Sequence, residues 1–368
     1  MTAQAIRADR PEQCATASAP APGVSVVRKG RNSLLLHRRS AAVAGVLAVL
    51  LGAVMLLAAC AGQVWIAPGA VLHELISGPG PHALVVSELR VPRIVLGALV
   101  GTALGASGAL VQTVTRNPLA SPDVLGVGHG AAAATVALLV TGTVTAPAAL
   151  PMAAVAGGLG AAALVYVTAW RRGGMQPTCF VLTGVGLGLG LSAVVQLYLA
   201  DSELDAAEQL KLWLAGSLNG RGRQQAVPLV CVLLPAALTL PWAARSGRVL
   251  ALGDDTAAAL GAPVGRMRLG LTLLGVILAA AATGAAGPIG FVALTAPQLA
   301  RRLARTPQLP LICSALTGAL VIVIADTAAR TVLGPLEIPV GALTALVGGP
   351  YLLWLLGRRG RTGAGVGM

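Results

Sequence analysis

The 368-residue sequence contains little charge, few aromatic side chains and almost no lysine. Asp, Glu, Lys and Arg make up 11% of it, Phe, Trp and Tyr make up 3%, and Lys29 and Lys211 are the only lysines. A soluble fold is excluded, because 56% of the residues are hydrophobic and a soluble interior could not hold that much apolar surface. The net charge of +13 is almost wholly arginine, and without interleaved aromatic residues it does not indicate a nucleic-acid binder.

Sequence motifs for nucleotide hydrolysis, ion coupling and metal binding are also missing or nearly so. There is no GxxxxGK[ST] sequence, so the chain cannot hydrolyse a nucleotide through a P-loop. An acidic or histidine relay inside the apolar runs, typical of ion-coupled carriers, is nearly absent. The five cysteines have no CxxC or metal-ligand spacing and are interpreted as small apolar core residues: Cys14, Cys60, Cys179, Cys231 and Cys313.

Long apolar runs are the main feature present. Mean hydropathy is +0.81, and several runs approach or exceed the ~20 residues that a membrane-spanning helix needs. Arginines cluster in every second connection between these runs. By the positive-inside rule these connections are cytoplasmic, and the resulting topology places both termini in the cytoplasm. The sequence therefore predicts a multi-pass, all-α membrane protein of about ten spans. Predicted segments are 40–62, a second helix ending before Arg116, 122–141, 147–170, 177–200, 226–244, 269–286, a short reversal within 287–303, 309–329 and 337–356.

The ends of the chain are predicted to lie outside this membrane domain. Residues 1–39 are rich in Ala, Pro and Arg without a hydrophobic period, which predicts a disordered cytoplasmic tail. Residues 40–357 form the predicted transmembrane domain, and 358–368 a cytoplasmic C-terminal tail. The sequence LLAAC at 56–60 resembles a lipoprotein cleavage site, but further membrane segments follow it, so the first run is interpreted as a retained helix.

The fold prediction depends most on the stretch 91–134. Gly97, Gly101 and Gly105 recur every four residues, which places them on one helix face where a neighbouring helix can approach closely. The following sequence RNPLASP interrupts the helix at its two prolines, Pro118 and Pro122. Ser121 is a plausible N-cap for the next helix. This pattern predicts two membrane helices joined by a stiff turn. A similar pattern over 269–329 suggests an inverted repeat of 91–141.

Two charged features have two interpretations each. The sequence GDDTAAALG, within the predicted segment 249–263, fits an interfacial helix with Asp254 and Asp255 at its N-terminus, or a docking element for a cytoplasmic partner. The arginines Arg90, Arg93 and Arg330, on the outer side of the predicted topology, fit head-group anchors or a positive rim for an acidic partner. The residues alone do not decide between these alternatives.

Several motifs together resemble a known family. The chain is similar from about 42 to 356 to the permease subunits of ABC importers for iron-siderophores, haem and cobalamin, the FecCD family. The resemblance is carried by RVPR, RNPLASPDVLGVGHGAA, ALGDDTAAALG, GPIGFVALTAPQLAR, ADTAAR and EIPVGALTALVGGPYLLWLL, in that order. It implies a ten-helix type II importer permease fold with an inverted repeat. It also implies a second permease copy or paralogue, two cytoplasmic ATPase subunits and an extracytoplasmic substrate-binding lipoprotein as partners.

The resemblance also implies roles for individual residues. The coupling segment would contact the ATPase through Asp254, Asp255, Ala258, Leu260 and Gly261. The three arginines would meet acidic residues of the binding protein, and helix packing and the translocation path would involve Gly97, Gly101, Gly105, Gln112, Asn117 and Pro118. The chain itself would bind no cofactor or metal, since ATP and Mg belong to the partner ATPase. The sequence departs from the family pattern at Gln298, where His is frequent, and at Ala293, where Gly is frequent.

The expected function is transport without an enzymatic site on this chain. A ferric siderophore would cross the cytoplasmic membrane of a bacterium by alternating access, driven by the separate ATPase. A cobalamin or haem importer is the alternative within the family, and an ion-coupled secondary transporter is the alternative from another class. Membrane lipid is an expected partner, and nucleic acid is not.

Overall fold

The fold is described from a computed structural model that covers residues 24–29, 32–62, 64–77, 80–141, 149–171, 174–175, 177–306, 310–332 and 337–363. Helices account for nearly all of it. The N-terminal half contains strands β1 (Val24–Lys29) and β2 (Asn32–His37), and helices α1 (Arg38–Cys60), α2 (Pro68–Ile76), α3 (Val91–Thr115), α4 (Val127–Val140) and α5 (Ala149–Ala169). A π-helical segment, Leu84–Arg90, continues directly into α3, and a 3-10 turn, Pro122–Leu125, precedes α4.

The C-terminal half is also helical. Strands β3 (Trp170–Arg171) and β4 (Gly174–Met175) pair antiparallel in a short connection. They are followed by α6 (Pro177–Asp201), α7 (Leu204–Leu214), α8 (Arg223–Ala251), α9 (Asp254–Ala259), α10 (Val264–Ala286), α11 (Val292–Ala304), α12 (Leu311–Thr331) and α13 (Val340–Gly363).

The predicted all-helical membrane architecture is confirmed. Seven helices of the described residues are long and apolar enough to cross a membrane, and the shorter apolar helices Val127–Val140 and Val340–Trp354 add two. The amphipathic α11 occupies the position of the predicted short reversal. Together these helices account for the ten predicted segments.

Helices α3 and α10 form the centre of the bundle. In their most apolar stretches, 78% and 72% of the residues are buried, against 17% in both α6 and α8. Both central helices are rich in Gly and Ala, whose small side chains let neighbouring helices approach closely. The larger apolar residues of α6 and α8, such as Leu197 and Leu238, instead face outward. The exposed faces of these outer helices are therefore suited to lipid or to another membrane subunit.

The predicted helix boundaries needed several corrections. The stretch between the first two predicted membrane helices holds the short helix α2, and the π-helical segment that begins at Leu84 lengthens the α3 span to Leu84–Thr115. Helix α8 is longer at both ends than the predicted 226–244, although it contains three prolines. The last helix continues to Gly363, past the predicted helix end at 356.

The predicted N-cap at Ser121 is wrong. Ser121 is extended and its side chain makes no capping bond, because Pro122–Leu125 forms a 3-10 turn and not the first turn of an α-helix. Gly126, with φ of 74°, then reverses the chain, and α4 begins at Val127. A similar interruption separates α10 from α11, where Gly287 and Phe291 have φ of 78° and 66°. A long central helix, a left-handed break and a shorter helix therefore occur in both halves.

The predicted disordered N-terminal tail includes a short antiparallel ribbon. Strands β1 and β2 pair from Val24 with His37 to Lys29 with Asn32, and α1 begins immediately afterwards at Arg38. Residues 1–23 and 30–31 of the predicted tail lie outside the described residues, as do 364–368 of the predicted C-terminal tail.

Candidate functional site

The predicted coupling segment lies between the end of α8 and the start of α10. Gly253 and Gly261, with φ of 101° and 77°, turn the chain before and after α9, which is only six residues long. Ala257 is the fully buried residue of α9, whereas Asp255, Ala258, Leu260 and Gly261 are exposed. Leu260 is 70% exposed. Four of the five predicted ATPase contacts are thus accessible: the small or apolar Ala258, Leu260 and Gly261, and the charged Asp255.

Asp254 is the exception among the five. Arg268 Nη2 donates to both of its carboxylate oxygens, at 3.0 and 2.8 Å, and Arg116 Nη2 donates to Oδ1. Arg116 follows the last turn of α3 in a left-handed conformation, and the same nitrogen also donates to Leu250 O at the end of α8. Asp254 therefore ties the short coupling helix to α3 and α10, and Arg116 extends this connection to the end of α8. We call this end of the molecule the α9 end.

The three predicted docking arginines lie at the opposite end. Arg90 donates to Ala59 O and Cys60 O at 2.8 and 3.0 Å, and to Val64 O at 2.7 Å. These are the last carbonyl oxygens of α1 and the chain just beyond it, which need donors because a helix cannot supply them internally. Arg90 and Arg93 are each 8% exposed.

Arg93 and Arg330 share one buried carboxylate. Nε and Nη2 of Arg93 donate to Asp326 Oδ1 at 3.0 and 2.9 Å, and Arg330 Nε lies 3.1 Å from Asp326 Oδ2. Arg93 Nη1 also donates to Glu337 Oε2 at 2.9 Å. The structure thus brings Arg93 and Arg330 together, while Arg90 binds the end of α1. All three guanidinium groups are bonded within the chain, so a partner's carboxylate would have to compete with these internal acceptors.

The loop before α8 places a further arginine at this opposite end. Arg221 Nη1 donates to Ala285 O at 2.7 Å. Burial lowers the pKa of its guanidinium to about 10, which still leaves it charged at neutral pH. Its neighbour Arg223 is more accessible and forms an exposed ion pair with Glu88. Neither arginine was among the residues predicted from the sequence.

The glycines of α3 face α12. A Cβ atom built at Gly101 would overlap Gly318 O, and one at Gly105 would overlap Ser314 O. At Gly97 the neighbours are the side chains of Leu218 and Ile322, at 3.1 and 3.4 Å. The two helices thus touch backbone to backbone, and these glycines pack against protein at the centre of the bundle.

Gln298 connects the other predicted path residues. Its Nε2 donates to Gln112 Oε1 at 2.6 Å and to Pro118 O at 3.1 Å, while Gln112 Nε2 donates to Leu294 O. Asn117 accepts from Leu119 N and shapes the turn after α3. The departure at Gln298 from the family pattern thus retains hydrogen bonds between α11, α3 and the following turn. Ala293, the second departure, packs its backbone against α3 at Gly108.

A cavity that combines several polar side chains with apolar walls lies between the 3-10 turn, α4, α6 and α11, and it was not predicted from the sequence. It measures about 470 Å³, and its polar lining includes Ser121, Asp123, His129, Ser192 and Gln196. Ser192 and Gln196 are four residues apart on an otherwise apolar helix, so they share one face. That spacing was the available sequence signal. Among the described residues, no group of three or more His, Cys, Asp or Glu side chains is placed to hold a metal ion.

Comparison with known proteins gives consistent similarities. A model of the FecCD transport family matches residues 49–358. The chain is 39% identical over 322 residues to the ferric enterobactin transport system permease protein FepG of Escherichia coli K12, covering 84% of this chain and 96% of that one. It is 36% identical to the Fe(3+)-citrate import system permease protein YfmE of Bacillus subtilis 168, covering 84% and 93%.

Solved structures share the fold. A metal-chelate type ABC transporter in an inward-facing conformation superposes with a TM-score of 0.76 at 27% identity, covering 86% of this chain and 99% of that one. PsaBC from Streptococcus pneumoniae, solved with an Fab, gives a TM-score of 0.51 at 15% identity, covering 74% and 92%, and shows similarity of fold alone.

Proposed function

The chain belongs to the FecCD transport family, and from this premise we propose that it is the membrane permease subunit of an ABC importer that carries a ferric siderophore. The support is the match over almost the whole membrane domain to permease proteins named for ferric enterobactin and Fe(3+)-citrate. The Bacillus subtilis iron(3+)-hydroxamate permease FhuG is 35% identical over 311 residues. These chelates differ in chemistry and share ferric iron, so the proposal is for a ferric chelate as substrate.

The energy for transport would enter at α9. Leu260 and its exposed neighbours form a small apolar surface of the kind that fits a groove on a second protein, and Asp254 fixes that surface to the ends of α3, α8 and α10. A cytoplasmic ATPase that moves α9 would therefore move the central helices with it. This arrangement supports alternating access, in which the α9 end and both termini would lie in the cytoplasm.

The substrate path would lie beside a second permease. Helices α6 and α13 expose large apolar residues, among them Leu182, Leu197, Leu346 and Leu353, each at least 71% exposed. Two permease proteins of one Fe(3+)-citrate import system, YfmE and YfmD, both resemble this chain. A paired permease would cover these apolar faces and enclose the polar cavity beside α6. An extracytoplasmic binding protein would deliver the chelate at the end opposite α9.

Uptake of radiolabelled ferric siderophores tests this proposal. Cells lacking the gene should lose uptake of at least one chelate in a panel of catecholate, hydroxamate and citrate types. Wild-type chain should restore it, whereas Leu260→Asp, which puts a charge on the α9 surface, should not. Leu303→Asp is the matched control, because Leu303 is also exposed and lies on α11 at the α9 end. Unchanged ferric uptake with lost cobalamin or haem uptake would overturn the siderophore assignment.

A further inference from the structure

A large cavity lies at the α9 end, between the start of α1, the end of α3, the C-terminal half of α8 and the start of α12. It measures about 950 Å³, at the upper end of the roughly 300–1,000 Å³ of small-ligand cavities. It opens to the outside of the chain, since lining residues such as Ile312 and Ala244 are exposed. Gln112 and Pro118, which the family resemblance assigns to helix packing and the translocation path, also line this cavity. The path proposed above lies beside other helices, α6 and α13.

The walls of the cavity are mostly apolar. Six of the residues that form them are Ala44, Leu110, Leu240, Ala244, Leu271 and Ile312. Along α8 the lining runs from Leu240 to Ala251, which corresponds to about 16 Å at 1.5 Å per residue. That depth is about half of the ~30 Å hydrocarbon core of a bilayer. With Arg248 at head-group depth, the apolar part of this lining, from Leu240 to Gly247, is about 10 Å long and reaches part way into one leaflet.

Its rim carries positive charge. Arg116, Arg248 and Arg301 all line the cavity, and no lining residue of the described chain is acidic. Arg116 uses its Nη2 for Leu250 O and Asp254. Arg248 lies in the last turn of α8 and is partly buried. The three arginines belong to α8, α11 and the turn after α3, at the α9 end of these helices, where a lipid head group would lie.

We propose that this cavity binds an anionic phospholipid, with the phosphodiester at the three arginines and an acyl chain along the apolar wall. Guanidinium groups bind phosphate oxygens through charge-assisted hydrogen bonds, and basic pockets between membrane helices are suited to acidic lipid head groups. A free phosphate would satisfy the arginines but would leave the apolar walls uncovered. If the α9 end is cytoplasmic, as the proposed function requires, the lipid belongs to the cytoplasmic leaflet, and only this assignment rests on the proposed function.

Native mass spectrometry of the full chain, purified alone in detergent, tests the proposal. Added phosphatidylglycerol should be retained, whereas phosphatidylcholine and inorganic phosphate should not. Arg248→Gln should weaken retention of phosphatidylglycerol about fivefold, since one basic residue near an anionic head group contributes about 1 kcal/mol. Arg245→Gln is the matched control, because Arg245 lies one turn earlier on α8, is exposed and does not line the cavity.

A second pair of variants tests the apolar part of the cavity without changing charge. Ala244→Trp should fill the cavity and reduce phosphatidylglycerol retention, whereas Ala237→Trp, at an exposed α8 position outside the lining, should not. Equal retention of phosphatidylcholine, or competition by inorganic phosphate alone, would overturn the proposal. So would unchanged retention in Arg248→Gln and Ala244→Trp. Because lipid binding and not uptake is measured, such a failure would leave the transport function untouched.

Discussion

Arg93 of α3 and Asp326 of α12 are joined by two hydrogen bonds in which Nε and Nη2 of the arginine share one carboxylate oxygen, at 3.0 and 2.9 Å. Their side chains are 10% and 3% exposed, and Arg330 lies 3.1 Å from the second carboxylate oxygen. One buried carboxylate thus compensates two buried arginines. Because α3 and α12 are in backbone contact below this group, the pair fixes how the two helices meet at the end opposite α9.

We expect Asp326→Asn to destabilise the isolated chain strongly. The substitution leaves two buried guanidinium groups without their shared counter-charge, and breaking a buried pair from one side costs about 3–5 kcal/mol. Titration of the detergent-purified chain with SDS, followed by tryptophan fluorescence, measures the change. Glu337→Gln is the control, because Glu337 binds the same arginine but its side chain is 38% exposed. Its effect should stay below about 1 kcal/mol, and equal losses would contradict the assignment of Asp326 as the central group.

A methyl group at Gly101 should separate α3 from α12. The added Cβ would overlap a backbone carbonyl oxygen of α12, which cannot move as the end of a flexible side chain could. We expect Gly101→Ala to cost about 1–3 kcal/mol, as overpacking in a tight core does. Gly45→Ala on α1 is the control, since a Cβ there meets nothing within 4 Å, and its higher helix propensity should leave stability unchanged or raise it by up to about 1 kcal/mol. The same SDS titration distinguishes the two, and similar curves would refute the close contact.

The glycine spacing illustrates how much of the fold the sequence can predict. Recurrence every four residues predicted a close helix contact at Gly101, and length and hydropathy predicted the membrane helices. The partner, Gly318, could not be identified, because any Gly- or Ala-rich helix offers a similar surface. Boundaries were wrong where local geometry overrides composition, as at Pro122–Leu125, whose 3-10 turn delays the start of α4.

Charge patterning gave less information about the candidate site. The arginine bias treats Arg90, Arg93 and Arg330 as surface charges. The partners of Arg90 are backbone carbonyls and Asp326 is distant in sequence from Arg93, whereas the i, i+4 spacing of Asp326 and Arg330 was visible in the sequence. Asp254 was grouped with the exposed residues of α9 because its bonds to Arg116 and Arg268 exist only after the long helices pack. Sequence patterns locate such residues, but tertiary pairing decides which way they face.

Removing the Gln298 amide should lower stability, because its hydrogen bonds to Gln112 and Pro118 are lost. Gln298→Leu leaves Gln112 Oε1 and Pro118 O without this donor in a buried setting, which costs about 1–3 kcal/mol. A double-mutant cycle with Gln112→Leu should give a coupling energy of about 0.5–3 kcal/mol, as expected for residues in direct contact. Gln224→Leu, at an exposed position of α8, is the control and should change little. Additive losses in the cycle would argue against the bond.

Substitutions of Asp254 and of Leu260 should impair transport in different ways, although both residues belong to the coupling segment. The side chain of Asp254 is 41% exposed, so Asp254→Asn should cost less than about 1 kcal/mol of stability. It nevertheless loosens α9 from the ends of α3 and α10, so uptake should fall severalfold while the ATPase remains bound. Leu260→Asp alters the exposed surface itself, so the ATPase should be lost together with uptake. Co-purification of the ATPase, measured beside ferric-chelate uptake, separates these outcomes. If Asp254→Asn also releases the ATPase, then Asp254 is a contact residue, as the family resemblance implies, and its ionic bonds to Arg116 and Arg268 only position it for that contact.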